Sequence, residues 1–557
     1  MRLPSREQTQ WIAWALLGAA MLTAALWLML SAQSTTFSGD DIYYYARYIA
    51  HGFAAAPGDG IEYFLAPHNG HLVVVGKLVY RALFEVFGAD YAVFRAANLL
   101  GVLAAVGLFY VLARRRVGPL LALAPAIFLL FFGYAWESLI WAFDLHTAYA
   151  LVFGLAALLV LERNGRHADG IACALLVLAT ATLELGLAFT AGVAVSVLLR
   201  QDRWRRCWIF LVPAVLYGIW MIWAAHFDQS EAKLTNVHLI PIDIVGALSS
   251  IAGAVTGINP TGPEFSVPLA GITAGGTVLA FIFVLAVAWR VSRGNVPPTL
   301  WTFATIAIAY WITIALGDRE PDSSRYLFAG TVLVFLVAAD ALQGASIRPL
   351  AVVATFVVLG LALPANVAKY YEGRRLLLND ADATRAEYAM LELAGVVDPG
   401  YRPGADPVVI EQGGGVYAAL PAADYFRAAA EFGPISGSIA DVRAAPLTFR
   451  EVADATLVHA ERLQLQPTSK PADVGDCRKA DAEPAEPVYF DLPPGGGTVL
   501  GSISAPVEVK GSRFAKDGTP VPIGTLEAGS WATLKAPIDS APTRWRIYVY
   551  SPSRVCE

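Results

Sequence analysis

The sequence predicts an α-helical polytopic membrane protein of about eleven transmembrane helices, with a C-terminal extracytoplasmic α/β plus β-sandwich-like domain. Three observations predict it. Hydrophobic residues make up 56% of the chain and charged residues only 15%, with a mean hydropathy of +0.52, too apolar for a soluble protein of 557 residues. Apolar runs near twenty residues recur, the length that a hydrocarbon core of about 30 Å demands of a helix. Arginines gather between alternate runs, as the positive-inside rule expects of cytoplasmic connections.

The runs cover 11–31, 93–113, 118–136, 145–161, 170–184, 186–199, 207–226, 267–289, 299–316, 326–342 and 349–366. Arg2 and Arg6 precede the first, Trp11–Ser31. That run is too long for a signal-peptide core and Ser31-Ala32-Gln33 is a poor cleavage site, so it reads as a retained helix with its N-terminus cytoplasmic. The cytoplasmic connections then carry Arg114, Arg115 and Arg116; Arg163 and Arg166; Arg200, Arg203, Arg205 and Arg206; Arg290 and Arg293; and Arg348. The outside loops carry Asp40, Asp41, Glu62, Glu137, Asp144, Asp228, Asp318 and Glu320. A single tilted helix over 170–199, with Glu184 inside it, would invert every later loop. Two short spans broken at Glu184 keep the alternation. The localisation that follows is multi-pass in a bacterial inner (plasma) membrane, with the C-terminal region extracytoplasmic.

A formal net charge of −6, with basic residues spread between apolar runs, argues against nucleic acid as a partner. Past Asn366 no spanning run remains. The predicted division is a membrane domain over 1–366, an extracytoplasmic α/β segment over 367–465 and a β-rich lobe over 466–557. Apolar residues at three- and four-residue spacing predict helices over Leu376–Leu393, Ala422–Phe432 and Thr448–Leu463. Gln466–Pro487 reads as a linker. Alternating runs predict strands over Val488–Leu492, Thr498–Ser504, Val507–Phe514, Ser530–Leu534 and Arg544–Tyr550. Cys173 and Cys207 fall in or beside spans, where a thiol behaves as a small apolar group. Cys477 and Cys556 lie in the C-terminal region, where an oxidising compartment would let them pair.

Polar residues cluster at the outer surface. The first outside loop, 32–92, opens with Thr36-Phe37-Ser38-Gly39-Asp40-Asp41 and runs through Tyr43-Tyr44-Tyr45 to Pro67-His68-Asn69-Gly70-His71, Lys77 and Arg81. Two adjacent carboxylates repel, which raises the pKa of one and suits it to proton transfer. The plainer reading is that Ser38 or Asp40 caps a following helix; for an isolated Asp-Asp pair that reading is favoured, and it is compatible with catalysis. His68 and His71 would share a face if helical, within reach of a metal ion or a phosphate, the phosphate favoured because Lys77 and Arg81 follow at helical spacing; the Asn69-Gly70 dipeptide argues instead for a turn. A second cluster runs from Asp318 through Arg319, Glu320 and Asp322 to Ser324-Arg325-Tyr326. Arg325 either snorkels to headgroups or binds an anion, and its place on the outer side favours the anion. A third comprises Trp136-Glu137-Ser138 and Trp141 to Asp144, where tryptophans of an interfacial belt are the bland alternative and Glu137 faces the same cavity in the sharper one.

An N-in first helix ending in Ser38-Gly39-Asp40-Asp41, a long first outside loop, a multi-span bundle and an outside C-terminal domain resemble the GT-C superfamily of membrane glycosyltransferases. The resemblance covers about residues 8–366 in layout. It extends more loosely to His68-Asn69-Gly70-His71 and Ser324-Arg325-Tyr326. It implies a polyprenyl-phosphate sugar donor, a glycan, lipid or protein acceptor, and an aspartate of the first loop, Asp40 or Asp41, as general base. Arg325, Lys77, His68 and His71 would bind the donor phosphate. Glu137, Tyr326 and Arg319 would line the substrate cavity. No cofactor is called for with certainty; a divalent metal bridging the Asp pair stays open. Membrane lipids are partners throughout. The competing classes are a flippase or transporter of lipid-linked sugars and a non-enzymatic cell-envelope assembly factor. Transporters more often show repeated halves and mid-membrane charges, whereas the polar residues here sit at one surface.

Overall fold

The structure is a computed structural model describing residues 6–46, 60–163, 165–227, 233–258, 274–294, 296–345, 348–395, 397–411, 420–471, 477–483 and 486–556. The expectations for Arg2, Asp228, residues 47–59 of the first loop and the 267–273 start of the eighth span lie outside them. Helices run in chain order as α1 (Arg6–Ser31), α2 (Asp41–Tyr45), α3 (Ile61–Leu65), α4 (Val74–Phe87), α5 (Tyr91–Val117), α6 (Pro119–Leu130) and α7 (Trp136–Ile140). There follow α8 (Leu145–Leu161), α9 (Arg166–Thr180), α10 (Leu185–Leu198), α11 (Arg203–Arg206), α12 (Trp208–Ala224), α13 (Ile240–Thr256) and α14 (Ala274–Ser292). The rest are α15 (Pro298–Leu316), α16 (Ser324–Ala341), α17 (Pro349–Ala394), α18 (Pro407–Glu411), α19 (Ala422–Phe432), α20 (Ile439–Ala444) and α21 (Leu447–Ala460). The chain packs as two compact units: Met1–Gln33 with Tyr48–Leu376, and Ser34–Arg47 with Leu377–Glu557.

In the first unit, nine helices among the described residues are long and apolar enough to cross a membrane, ten if one bent pair counts as a span. Their outer faces stay apolar where they meet no protein: Leu22, Leu26 and Leu30 on α1, Ile219 and Ile222 on α12, and Leu350 and Leu361 on α17 are all exposed. Such a surface is stable against lipid rather than water. Eight predicted spans correspond to members of the nine. The predicted 118–136 span is the bent pair, Pro119–Leu130 and Gly133–Ile140, which meet at 45°. Gly133 explains how the bend packs: a Cβ there would lie 1.7 Å from the Asn366 carbonyl oxygen, so only glycine lets this corner touch α17. The predicted 170–184 and 186–199 spans are two helices, α9 and α10, of 15 and 14 residues, parted by a turn ending at Glu184. The single tilted helix is therefore not formed.

The ninth member, Leu234–Thr256, was not predicted. Its N-terminal approach hydrogen-bonds the C-terminal end of α15, with Lys233 N and Asn236 Nδ2 donating to Leu316 O at 3.0 and 3.1 Å. Beyond its C-terminal end Ile258 packs on Gly275, at the start of α14. The opposite ends of α14 and α15 lie together elsewhere: Arg290 donates to Ala341 O at 3.0 Å and Thr299 to Asp340 at 3.1 Å. Both ends of α13 thus sit at the same end of the bundle, so it adds no crossing to the alternation.

The far end of the bundle is basic. Arg116 pairs with Asp340 at 2.7 Å and with Glu162 at 3.2 Å, Arg115 also pairs with Glu162, and Arg206 with Asp169. α5 ends there, its last turn carrying Arg114, Arg115 and Arg116 against the negative end of the helix dipole, before Gly118 at φ 85° and Pro119 starts α6.

In the second unit the predicted boundary at 366 passes through α17, which continues unbroken to Ala394. Strands are β1 (Gln466–Thr468), β2 (Arg478–Ala480), β3 (Val488–Leu492), β4 (Gly497–Ser502), β5 (Val507–Ser512), β6 (Val521–Leu526), β7 (Trp531–Lys535), β8 (Trp545–Val549) and β9 (Ser553–Cys556). They form two antiparallel sheets, β1-β7-β4-β9-β2 and β3-β8-β5-β6, a β-sandwich as predicted. The segment read as a linker contributes β1 and β2. One core joins helices and sandwich, from Met390, Val409 and Val452 to Leu500, Ile547 and Trp545. Asp454 on α21 ties them further, accepting from the backbone N–H groups of Arg513, Phe514 and Ala515 at 2.9 to 3.0 Å. Cys477 and Cys556 form a disulfide across a separation of 79 residues.

Candidate functional site

The His68–His71 segment is a tight turn, not a helix. His68 N donates to His71 O at 3.0 Å and His71 N to His68 O at 2.9 Å, with Asn69 and Gly70 at φ 48° and 78°. Two central residues with positive φ are what an Asn-Gly dipeptide supplies in a two-residue hairpin. The imidazoles have different surroundings. His68 is buried against the Phe143 ring, centroids 5.3 Å apart. His71 presents Nδ1 to Glu184 Oε2 at 2.6 Å.

Glu184 is the centre of this group. It precedes α10, outside both short helices, and its other oxygen lies 3.7 Å from Arg319. Arg319 also contacts His71 Nε2, donates to the Tyr326 hydroxyl at 3.3 Å and reaches Asn69 O at 3.5 Å. Burial opposes ionisation of Glu184, but the His71 imidazole and the Arg319 guanidinium outweigh it and hold the carboxyl well below the usual carboxylate range. Val75 N donates to Ala181 O at 3.1 Å, which fastens the start of α4 to the same turn.

Beside it, Glu137 on α7 organises the start of α16. Its Oε2 accepts from the Ser324 hydroxyl and, at 3.0 Å, from Arg325 N; its Oε1 lies 3.5 Å from the Arg325 guanidinium. That guanidinium stands 5.5 Å from the Trp141 ring centroid, and the side chain remains 37% exposed. Asn98, buried within α5, donates to Ser138 O at 3.0 Å and Trp141 O at 3.1 Å and fixes the turn that carries Glu137. Sequence reasoning passed over Asn98 and left Glu184 undecided. An amide or a carboxylate inside an otherwise apolar run was the available signal.

Of the predicted site residues, His71, Arg319 and Tyr326 therefore come together around Glu184, and Arg325 meets Glu137, all in the first unit. Lys77 does not join them. It is fully buried on α4, and its ammonium donates to Tyr63 O at 2.8 Å and Ala66 O at 2.7 Å, satisfying the open carbonyls at the end of α3. Burial pulls its pKa down to about 7. The ammonium thus faces backbone carbonyls of its own loop, where the sequence suggested a phosphate. Arg81 pairs with Glu85 at 2.5 Å along α4.

Asp40 and Asp41 lie in the second unit. Asp40 occupies the N-cap of α2 and Asp41 its first turn, as the capping reading places them, but the Asp40 side chain makes no cap hydrogen bond. Asp41 is fully buried. Among the described residues no three His, Cys, Asp or Glu side chains converge as a metal site.

No family model and no curated protein matches the sequence. Solved structures do. The chain is similar to ArnT from Cupriavidus metallidurans bound to undecaprenyl phosphate, at 18% identity over 71% of this chain and 82% of that one, with a TM-score of 0.40. It is similar to the arabinosyltransferase EmbB from Mycobacterium smegmatis at 13% identity over 98% of this chain and 64% of that one, TM-score 0.37. It is similar also to the archaeal oligosaccharyltransferase AglB from Archaeoglobus fulgidus, in complex with an inhibitory peptide and a dolichol-phosphate, at 12% identity over 97% and 96%, TM-score 0.41.

Proposed function

We propose that this chain is a GT-C-type membrane glycosyltransferase that moves a sugar from a polyprenyl-phosphate donor to an extracytoplasmic glycan, lipid or protein acceptor. The observation that carries the reading is the group around Glu184 and Glu137. Two arginines are oriented there by half-buried carboxylates at the end of the bundle opposite the basic one. A guanidinium held in this way is suited to a phosphate, which it meets with paired N–H donors.

In the proposed reaction the acceptor hydroxyl oxygen attacks the anomeric carbon as the bond from that carbon to the phosphate oxygen breaks. The hydroxyl proton passes to Asp40 or Asp41, and the electron pair of the broken bond leaves on the lipid phosphate. Arg325 and Arg319, the latter aligned by Glu184 and His71, take up the charge that develops on that phosphate. Tyr326 orients Arg319 through its hydroxyl. The basic end of the bundle belongs to the cytoplasm under the positive-inside rule, and the disulfide of the second unit fits an oxidising compartment outside.

The test is transfer from a panel of labelled polyprenyl-phosphate sugars by purified protein, wild type against Asp40→Asn and Asp41→Asn. One variant should lose about 10²- to 10⁴-fold of turnover while still binding donor. Equal transfer by wild type and both variants would remove the base assignment. Donor binding by the wild type with transfer to no acceptor would favour a flippase or an assembly factor.

A further inference from the structure

A helix of five residues is far below the length at which a helix holds itself together in water, and α2 lacks even its side-chain cap. Its shape is imposed by the second unit. Every residue from Asp41 to Tyr45 is buried. At its C-terminal end the Tyr45 hydroxyl donates to Gly433 O at 2.6 Å. Gly433 follows α19 with φ 94°, a conformation that suits glycine. The Tyr45 ring stacks on Phe37 at 5.8 Å and lies 6.3 Å from Tyr425 and 6.5 Å from Phe432, both on α19. Tyr425 is itself fixed on two sides: its ring stacks on Tyr388 of α17 at 4.2 Å and its hydroxyl bonds Glu392. Glu392 also accepts from Ser436 at 2.8 Å. An aromatic column thus runs from α17 through α19 to α2, two ends of it tied by hydrogen bonds.

We infer that Tyr45, with Tyr425 and Gly433, is a positioning device for the Asp40–Asp41 pair, so that the C-terminal unit sets the carboxylates for catalysis in addition to any part it takes in acceptor recognition. The inference rests on the general-base role proposed above. A general base works only within about 0.5 Å of its productive place, and a displacement near 1 Å can remove 10²-fold of rate. Burial, and then the Glu392 carboxylate, holds the Tyr45 phenol above its ordinary pKa, so it remains a donor to Gly433 across the working range.

The experiment uses the full chain, with Tyr45→Phe, Tyr45→Ala, Tyr425→Ala and the two Asp→Asn variants side by side. Turnover at saturating donor, donor KM and hydrogen exchange at the amides of 41–46 are read on each. Tyr45→Phe keeps the ring and loses the hydroxyl. It should lower kcat about tenfold, and the alanine variants nearer a hundredfold, with donor KM unchanged and faster exchange confined to α2 and its contacts. A purely structural role would lower the folded fraction and leave kcat per folded molecule at the wild-type value, which overturns the inference. If an Asp→Asn variant abolishes transfer while all three tyrosine variants turn over normally, positioning is wrong and the general base stands. If neither Asp→Asn variant matters, the general-base reading falls and the catalytic part of this inference falls with it, whatever exchange at α2 shows.

Discussion

The two ends of the helical unit both carry arginine against carboxylate, and they do so differently. At the basic end Arg116 is 5% exposed and Asp340 wholly buried; the guanidinium is closed off by Glu162, the Leu112 carbonyl and the Phe303 ring. At the other end Arg325 is 37% exposed and Arg319 20%, each resting on one carboxylate. Ion pairs with no open side hold helices in register and have nothing left to offer a ligand. Ion pairs with an open side cost some stability to maintain and keep a charge ready for use. The contrast separates closed ion pairs from open ones in a chain where both look alike in sequence.

Mutations should divide along the same line. Asp340→Ala leaves Arg116 buried without its closest carboxylate and is expected to cost about 3–5 kcal/mol of stability, visible as a large fall in melting temperature with turnover per folded molecule retained. Arg325→Ala should do the reverse, lowering transfer about 10²-fold with the melting temperature hardly moved. A melting loss at Arg325 equal to that at Asp340 would break the comparison. Glu184→Gln sharpens it through pH. The folded Glu184 carboxyl is shifted below its ordinary 4.5, so its stabilisation is complete above that value and is lost as pH falls below it. Melting curves of the wild type should therefore fall more steeply than those of Glu184→Gln on acidification below about pH 4.5. The smallest effect is expected at Lys77→Met, which strips the Tyr63 and Ala66 carbonyls of a donor at about 1–2 kcal/mol and leaves donor affinity alone. Weakened donor binding there would restore Lys77 to the phosphate site.

What the sequence revealed and what it hid have physical reasons. Spans were legible where the whole circumference of a helix is apolar, as in α1, α5 and α12. α13 was missed although it is as apolar as α15 and α16, because the arginine alternation closes without it. The strands found were β4, β5, β7 and β8, interior to their sheets, and the edge strand β3, all with sharp alternation. The edge strands β1, β2 and β6 were missed, and β6 carries Pro522 and Gly524, which an edge tolerates and which read as loop. β9 is interior to its sheet, but its four residues are too few to show a period. In the site, the residue types of the outer clusters were readable one by one. Their convergence on Glu184 was not, because Asn69, Glu184 and Arg319 are brought together by packing of helices far apart in sequence. Lys77 misled because a basic residue at helical spacing from two histidines looks the same whether its ammonium meets a phosphate or the backbone carbonyls of its own loop.

The hydrogen bond from Tyr45 to Gly433 also sets a clock on biosynthesis. Its two ends are 388 residues apart. At about 5–20 residues per second, the ribosome needs roughly 20 to 80 s after making Tyr45 before Gly433 exists to receive it. For that interval the segment bearing the aspartates has no α19 to dock on. Until then α2 lacks the carbonyl and the ring contacts that shape it, and a chain truncated before residue 433 would lack that carbonyl for good.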